Sequence, residues 1–171
     1  MLNGINPRLE TKRLILRPML ETDIDALHLI FTDPKVMASF GGELFTREQT
    51  GHWLKRNLDH QNEFGYGLFS VILKETGTLI GDCGLEQMES EGAAELGYDF
   101  RSDFWNQGYA TEAAIAVRDY AFNTLKLPQL ISLIRVGNLA SRRVAERVGM
   151  TLDEKFMRYD IQYWKYRIEN R

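Results

Sequence analysis

Between residues 66 and 100 the chain changes its hydrophobic rhythm, and that change sets the fold class. Three runs there, YGLFSVILK (66–74), TLIGDCGLEQM (78–88) and AAELGYDF (93–100), have the length and residue types of strands. The ETG between the first two is a turn sequence, so the segment reads as a three-stranded meander. Helical periods flank it. LETDIDALHLIFTD (20–33) spaces Ile24, Leu27, Ile30 and Phe31 as one helix face, with acids in the first turn. A second helix runs from Thr46 to about Gln61, where Thr46 and Gln49 stand at capping-box spacing. RLILRP (13–18) precedes both as a strand that stops at proline.

After the meander comes a helix from Gly108 to about Leu125, with Ala113, Ile115, Val117, Tyr120, Ala121 and Leu125 as its apolar stripe. QLISLIRV (129–136) is a strand, and NLASRRVAERVG a helix with Asn138 as N-cap and Gly149 as its C-terminal glycine. MTLDEKFM and YDIQYWKYRIE close the chain as two strands. The order β-α-α-β-β-β-α-β-α-β-β specifies an α/β (mixed α+β) fold, a mixed sheet with helices on its faces. No repeat or linker interrupts it, so residues 1–171 read as one domain.

Composition narrows the function. Hydrophobic residues at 44% and charged residues at 26% are those of a globular chain. A net charge of −3 gives no bulk attraction to nucleic acid or an anionic membrane. One cysteine, Cys83, excludes an internal disulfide, and with three scattered histidines it makes no zinc pattern, so no metal is expected. Cys83 reads as a small buried apolar residue, and His28, His52 and His60 as surface or core residues. The first ten residues lack the apolar core of a signal peptide, and no run is long enough to span a bilayer; a cytoplasmic protein is expected.

DFWNQGYATEAA (103–114) opens a helix on a glycine. The first turn of a helix leaves N–H groups without partners at a partly positive end. Gly108 and Ala110 leave that end sterically open, with Gln107 and Thr111 as polar neighbours, a construction that suits a phosphate. A merely solvated first turn is the alternative. Neither the P-loop lysine pattern nor G-x-G-x-x-G is present. Downstream, Asn138 and Ser141 stand three apart at another strand-to-helix passage.

AELGYDFRSDFWNQGYATEAA together with NLASRRVAERVGM resembles the GNAT acetyltransferases, and ETKRLILRPM resembles their RimJ/RimL-type branch of ribosomal-protein N-terminal acetyltransferases. The family phosphate-loop pattern is Q/R-x-x-G-x-G/A. Gly108 and Ala110 match it, while Trp105 takes the Q/R place. The resemblance implies a GNAT fold: a mostly antiparallel sheet of about seven strands, splayed after the fourth, with about four helices. It implies acetyl-CoA as acyl donor, with the backbone of Tyr98, Asp99 and Phe100 pairing with pantetheine. The N–H groups of Asn106, Gln107, Gly108, Tyr109, Ala110 and Thr111 would bind the pyrophosphate, and Asn138 and Ser141 would lie beside the pantetheine and the sulfur. Among Arg135, Arg142, Arg143 and Arg147, Arg142 or Arg143 would hold the 3′-phosphate, with solvated helix surface as the reading for at least two of the four.

For the chemistry, the resemblance implies Glu95 as general base, with Glu86 in reserve; a strand glutamate on the solvated face, or one that only binds the amine's charge, is the alternative. Ala145 stands where many members carry a proton-donating tyrosine, leaving Ser141, Tyr163 or Tyr166. Phe40, Trp53 and Trp164 are read first as core packing and second as acceptor-pocket wall. The implied reaction is acetyl transfer to a primary amine. Transfer of another acyl group, and a CoA-binding module without turnover, are the alternatives. Protein N-terminus, polyamine, aminoglycoside and amino acid all remain open as acceptor, and the net charge does not point to a strongly cationic one. A homodimer is common in the family.

Overall fold

The computed structural model describes residues 7–171; the sequence reading of the first six residues lies outside them. The chain runs β1 (Leu9–Glu10), β2 (Leu14–Pro18), α1 (Ile24–Phe31), α2 (Pro34–Met37), α3 (Arg47–Phe64), β3 (Leu68–Leu73), β4 (Thr78–Met88) and β5 (Ala93–Phe100). It continues α4 (Tyr109–Asn123), β6 (Gln129–Arg135), α5 (Leu139–Val148), β7 (Thr151–Arg158) and β8 (Ile161–Glu169). The strands form one sheet in the order β1-β2-β3-β4-β5-β6-β8-β7, antiparallel throughout except where β5 meets β6.

Among the described residues, eight strands and five α-helices stand against the expected seven or so and four or so. The additions are short. β1 contributes two residues, paired to Leu16 and Ile15, which is less than one alternation of the pleat. α2 is a single turn with Asp33 as N-cap, its side chain accepting from the Lys35 N–H, and Pro34 in the first position. A single turn presents no apolar stripe to read.

Local chemistry explains where the longer helices begin and end. Thr46 and Gln49 cap α3 reciprocally, and the helix runs on past Gln61 to Phe64 before Gly65 ends it in the left-handed region. Asn138 caps α5 by accepting from the Ser141 N–H at 3.1 Å, and Gly149, at φ 99°, ends it. α4 begins differently, on Gly108 at φ 82° with no side-chain cap.

The sheet is covered on both faces. α4 packs across β4 and β5, where Ala113, Ala114, Val117 and Ala121 are fully buried and their small size lets the helix lie close to the strands. On the other face α1 and α3 bury Leu27, Ile30, Phe31 and Leu54 against Leu68 and Leu79. Ile115, expected in the α4 stripe, is only half-buried, because the face that meets the sheet runs through Ala114.

β5 and β6 pair at two positions alone, Ala94 with Leu130 and Glu95 with Ile131. Both strands continue, β5 to Phe100 and β6 to Arg135, but they part. The opening follows the fourth strand counted from β2, as the resemblance implied.

Candidate active site

The parting of β5 and β6 opens a cavity of about 670 Å³, and most residues singled out from the sequence border it. Tyr98, Asp99 and Phe100 lie on the stretch of β5 that no longer pairs with β6, with Asn106, Gly108, Tyr109, Ala110 and Thr111 at the entrance to α4. Asn138, Ser141 and Arg143 border it from α5. Gln107 is exposed beside this group and does not line the cavity.

The loop before α4 is held from a distance. Asn106 and Gly108 both take left-handed backbone, at φ 60° and 82°. Arg13, just before β2, clamps it: Nη1 donates to the Gln107 carbonyl at 2.8 Å and the guanidinium lies 4.3 Å over the Tyr109 ring. Arg13 also pairs with Glu112 at 2.7 Å, so the one acid in the first turn of α4 is neutralised from outside. Thr11 donates to the same carboxylate at 2.6 Å. A Cβ on Gly108 would meet Arg13 Nη2 at 3.3 Å. Arg13 and Thr11 escaped sequence reasoning because their target lies about a hundred residues away.

The opposite side of the cavity is acidic. In the β4–β5 register Asp82 stands opposite Asp99, Gly84 opposite Gly97 and Glu86 opposite Glu95. Residues two apart share a face, and all four carboxylate residues border the cavity. Burial, then the charge of Glu86, push the Glu95 carboxyl up to about 7, against the hydrogen bond from the Leu133 N–H at 3.3 Å. Burial and the same neighbour raise Asp99. Asp82 is fully buried and also raised, by burial and then by the charges of Asp99 and Glu86. Glu95 therefore lies in the cavity wall and not on the solvated face.

Other expectations sort themselves. Arg142 is the correction among the arginines: it pairs with Glu146 at 2.9 Å and stacks on Trp164, away from the cavity that Arg135, Arg143 and Arg147 border. Arg147 also lies beside Gly108 and Thr111 in a shallow hollow. Trp164 is core, as first read; Phe40 is not, being 55% exposed at the cavity. Trp53 borders the cavity and packs edge-on against Phe31, 4.6 Å between ring centres. Tyr163 borders the cavity, whereas Tyr166 is buried and donates to Glu146. Cys83 is fully buried in the α4-side core. His28 bonds Thr50, and His60 sits between the Tyr66 carbonyl and the Gln87 N–H, a packing role.

A donor slot in mid-sheet, an uncapped helix end on its rim and a buried carboxylate beside it are the parts of an acyl-group transferase. The family model described as Acetyltransferase (GNAT) domain matches residues 13–151, and the chain belongs to that family of acetyltransferases. It is 42% identical over 148 residues to the uncharacterized protein YkkB of Bacillus subtilis, covering 84% of each chain. It superposes on the crystal structure of the acetyltransferase from Agrobacterium tumefaciens with a TM-score of 0.83 at 36% identity, over 95% of this chain and 94% of that one. The fold is shared with RimL, a ribosomal L7/L12 alpha-N-protein acetyltransferase solved in complex with coenzyme A, at a TM-score of 0.81 and 18% identity over 95% and 98% of the chains.

Proposed function

We propose that the protein transfers acetyl from acetyl-CoA directly to a primary amine, with Glu95 as general base. The observation that carries this reading is a single cavity that runs from the uncapped start of α4 to the raised carboxyl of Glu95. Acetyl-CoA supplies an acyl thioester and a pyrophosphate. The residues present fit it: bare N–H groups from Asn106 to Thr111, the cations Arg143 and Arg147, and the unpaired edge of β5 from Tyr98 to Phe100.

An alkyl amine has a pKa near about 10 and arrives protonated. Glu95, poised near neutrality, takes that proton, directly or through water, and leaves the nitrogen lone pair free to attack. As the C–N bond forms the C–S bond breaks, and a backbone N–H near Tyr98 stabilises charge on the carbonyl oxygen. Sulfur leaves as a thiolate, and of the three hydroxyls named from the sequence to return its proton, Ser141 and Tyr163 border the cavity. Asn138 is committed to capping α5 and holds Ser141 in place. The likeness to the RimJ/RimL branch supports a related reaction on an amine without fixing a ribosomal acceptor.

Thermal unfolding with acetyl-CoA and thiol release with amines test the reading. At a hundredfold excess over Kd a bound donor should stabilise by about 2.7 kcal/mol, several degrees in Tm. No shift at millimolar donor and no thiol release would sink it.

A further inference from the structure

We propose that the acceptor is a linear amine with a second cationic group, a diamine or polyamine, lying along the trough lined by Asp82, Glu86, Glu95 and Asp99. The proposal rests on the acetyltransferase reading and names its substrate class. The first observation is the register: two cross-strand acid pairs on one face of β4–β5, with Gly84 and Gly97 between them. Four residue steps along the strand separate the pairs, roughly 13 Å. Like charges set opposite each other on neighbouring strands repel and destabilise the sheet. Among the described residues no lysine or arginine forms an ion pair with any of the four, although thirteen ion pairs bind acids elsewhere.

The second observation is Asp82. It is fully buried and borders the cavity, and neither carboxylate oxygen has a hydrogen-bond partner among the described residues. An uncompensated buried carboxylate costs several kcal/mol, so natural chains rarely keep one without something to meet it. A cation that approaches the Asp82–Asp99 pair removes that cost. The acids do not converge as a metal cage: among the described residues no three His, Cys, Asp or Glu side chains come together in a metal-holding group.

The rest of the cavity selects the shape. Val36, Leu68, Trp53 and Phe40 wall the acceptor side with hydrocarbon and aromatic faces, which suit methylene groups and an ammonium over a ring. A Cβ built on Gly97 meets nothing within 4 Å, so the β5 half of the floor between the acid pairs is open, while the backbone of Gly67 and Leu68 closes over Gly84 on β4. A monoamine would neutralise one pair and leave the other. A diamine places one nitrogen at the Glu86–Glu95 end, where its proton passes to Glu95 and the C–N bond forms as the C–S bond breaks. The second ammonium stays beside Asp99, the member of the Asp82–Asp99 pair that keeps accessible surface. The product is a mono-N-acetyl amine with one positive charge fewer, and CoA leaves as the thiol. The overall net charge of −3 conceals this arrangement because it averages a local cluster over the whole surface.

The test compares 1,8-diaminooctane with 8-amino-1-octanol, equal in length and one charge apart. We expect kcat/KM to favour the diamine by about tenfold or more, and the diamine alone to raise Tm further than the amino alcohol does. Asp82→Asn and Asp99→Asn should bring that ratio toward one, and Asp82→Asn should keep the acetyl-CoA shift. Gly97→Val, which has room for its side chain and suits a strand, should fold normally and raise KM for the diamine; it carries the test if the aspartate variants do not fold. Equal turnover of the two probes, an unchanged ratio in Asp82→Asn, or a preference for the dipeptide amide Ala-Ala-NH2 would overturn the trough. Loss of the acetyl-CoA shift with the diamine shift intact would sink the transferase reading and leave the trough standing.

Discussion

Glu95 faces the cavity because of its parity on β5: Leu96 on one side of it points into the α4-side core, and Glu95 points the other way. With its carboxyl raised to about 7, it is protonated in acid and competent as a base only above that value. The proposed rate should therefore rise with pH through about 7 in kcat/KM. Glu95→Gln should remove that limb and lower kcat by about 10²–10⁴-fold while the acetyl-CoA shift in Tm persists. An unaltered pH profile in the variant would move the base elsewhere, with Glu86 next in line. Glu95 was legible in the sequence as the acid of AEL in a recognisable setting. The placement of the Asp82 and Asp99 side chains was not, since each looks like an isolated strand aspartate until the β4–β5 register sets them opposite one another. Arg142 and Arg147 show the same limit. Both stand on α5, and the rotation of that helix against β8 decides which faces Trp164 and which Gly108.

At the scale of elements, caps and turns were readable because their partners lie three or four residues away. The capping box of α3, the Asn138 cap and the ETG turn are of this kind. β1 and α2 lay below the length at which a period exists, and the Arg13 clamp joins parts of the chain that only folding brings together. The start of α4 depends on both sorts of contact. Gly108→Val must hold φ near 82° with a β-branched side chain and push against Arg13, at a cost of about 1–3 kcal/mol. It should also weaken acetyl-CoA binding in a titration. Arg13→Gln keeps the backbone of the loop and releases its anchor and the Glu112 charge, so it too should raise the donor Kd, with a smaller loss of Tm. Unchanged Kd in both variants would show that the loop does not meet the donor.

For the whole molecule, the acids divide into two groups that act on stability in opposite directions. Asp23 and Glu112, although desolvated, are held low by hydrogen bonds: Asp23 from Arg17, the Leu20 N–H and Ser70, Glu112 from Thr11 and Arg13. Their contribution is present above the unfolded carboxyl values and is lost in acid. Glu95, Asp99 and Asp82 are raised, so from 4.5 to about 7 the folded chain binds more protons than the unfolded one, and stability falls as pH rises. The Tm of the ligand-free protein should peak near about pH 5 and decline toward neutrality, and Asp99→Asn should flatten the decline. A Tm that rises between those values would contradict the raised carboxyls of Glu95, Asp99 and Asp82.

The two residue pairs that join β5 to β6 carry one more meaning. Mechanically the sheet is two plates, β1 to β5 and β6 to β8, welded along a seam shorter than a single turn of helix. α4 braces the first plate, and α5 touches both α4 and β6. The seam is held by those two pairs, by the Ser132 hydroxyl on the Leu96 carbonyl and the Leu133 N–H on Glu95, and by the packing of α5 on α4. Glu95 is itself a member of the seam. In the proposed reaction the donor lies along that seam, beside the residue that takes the proton.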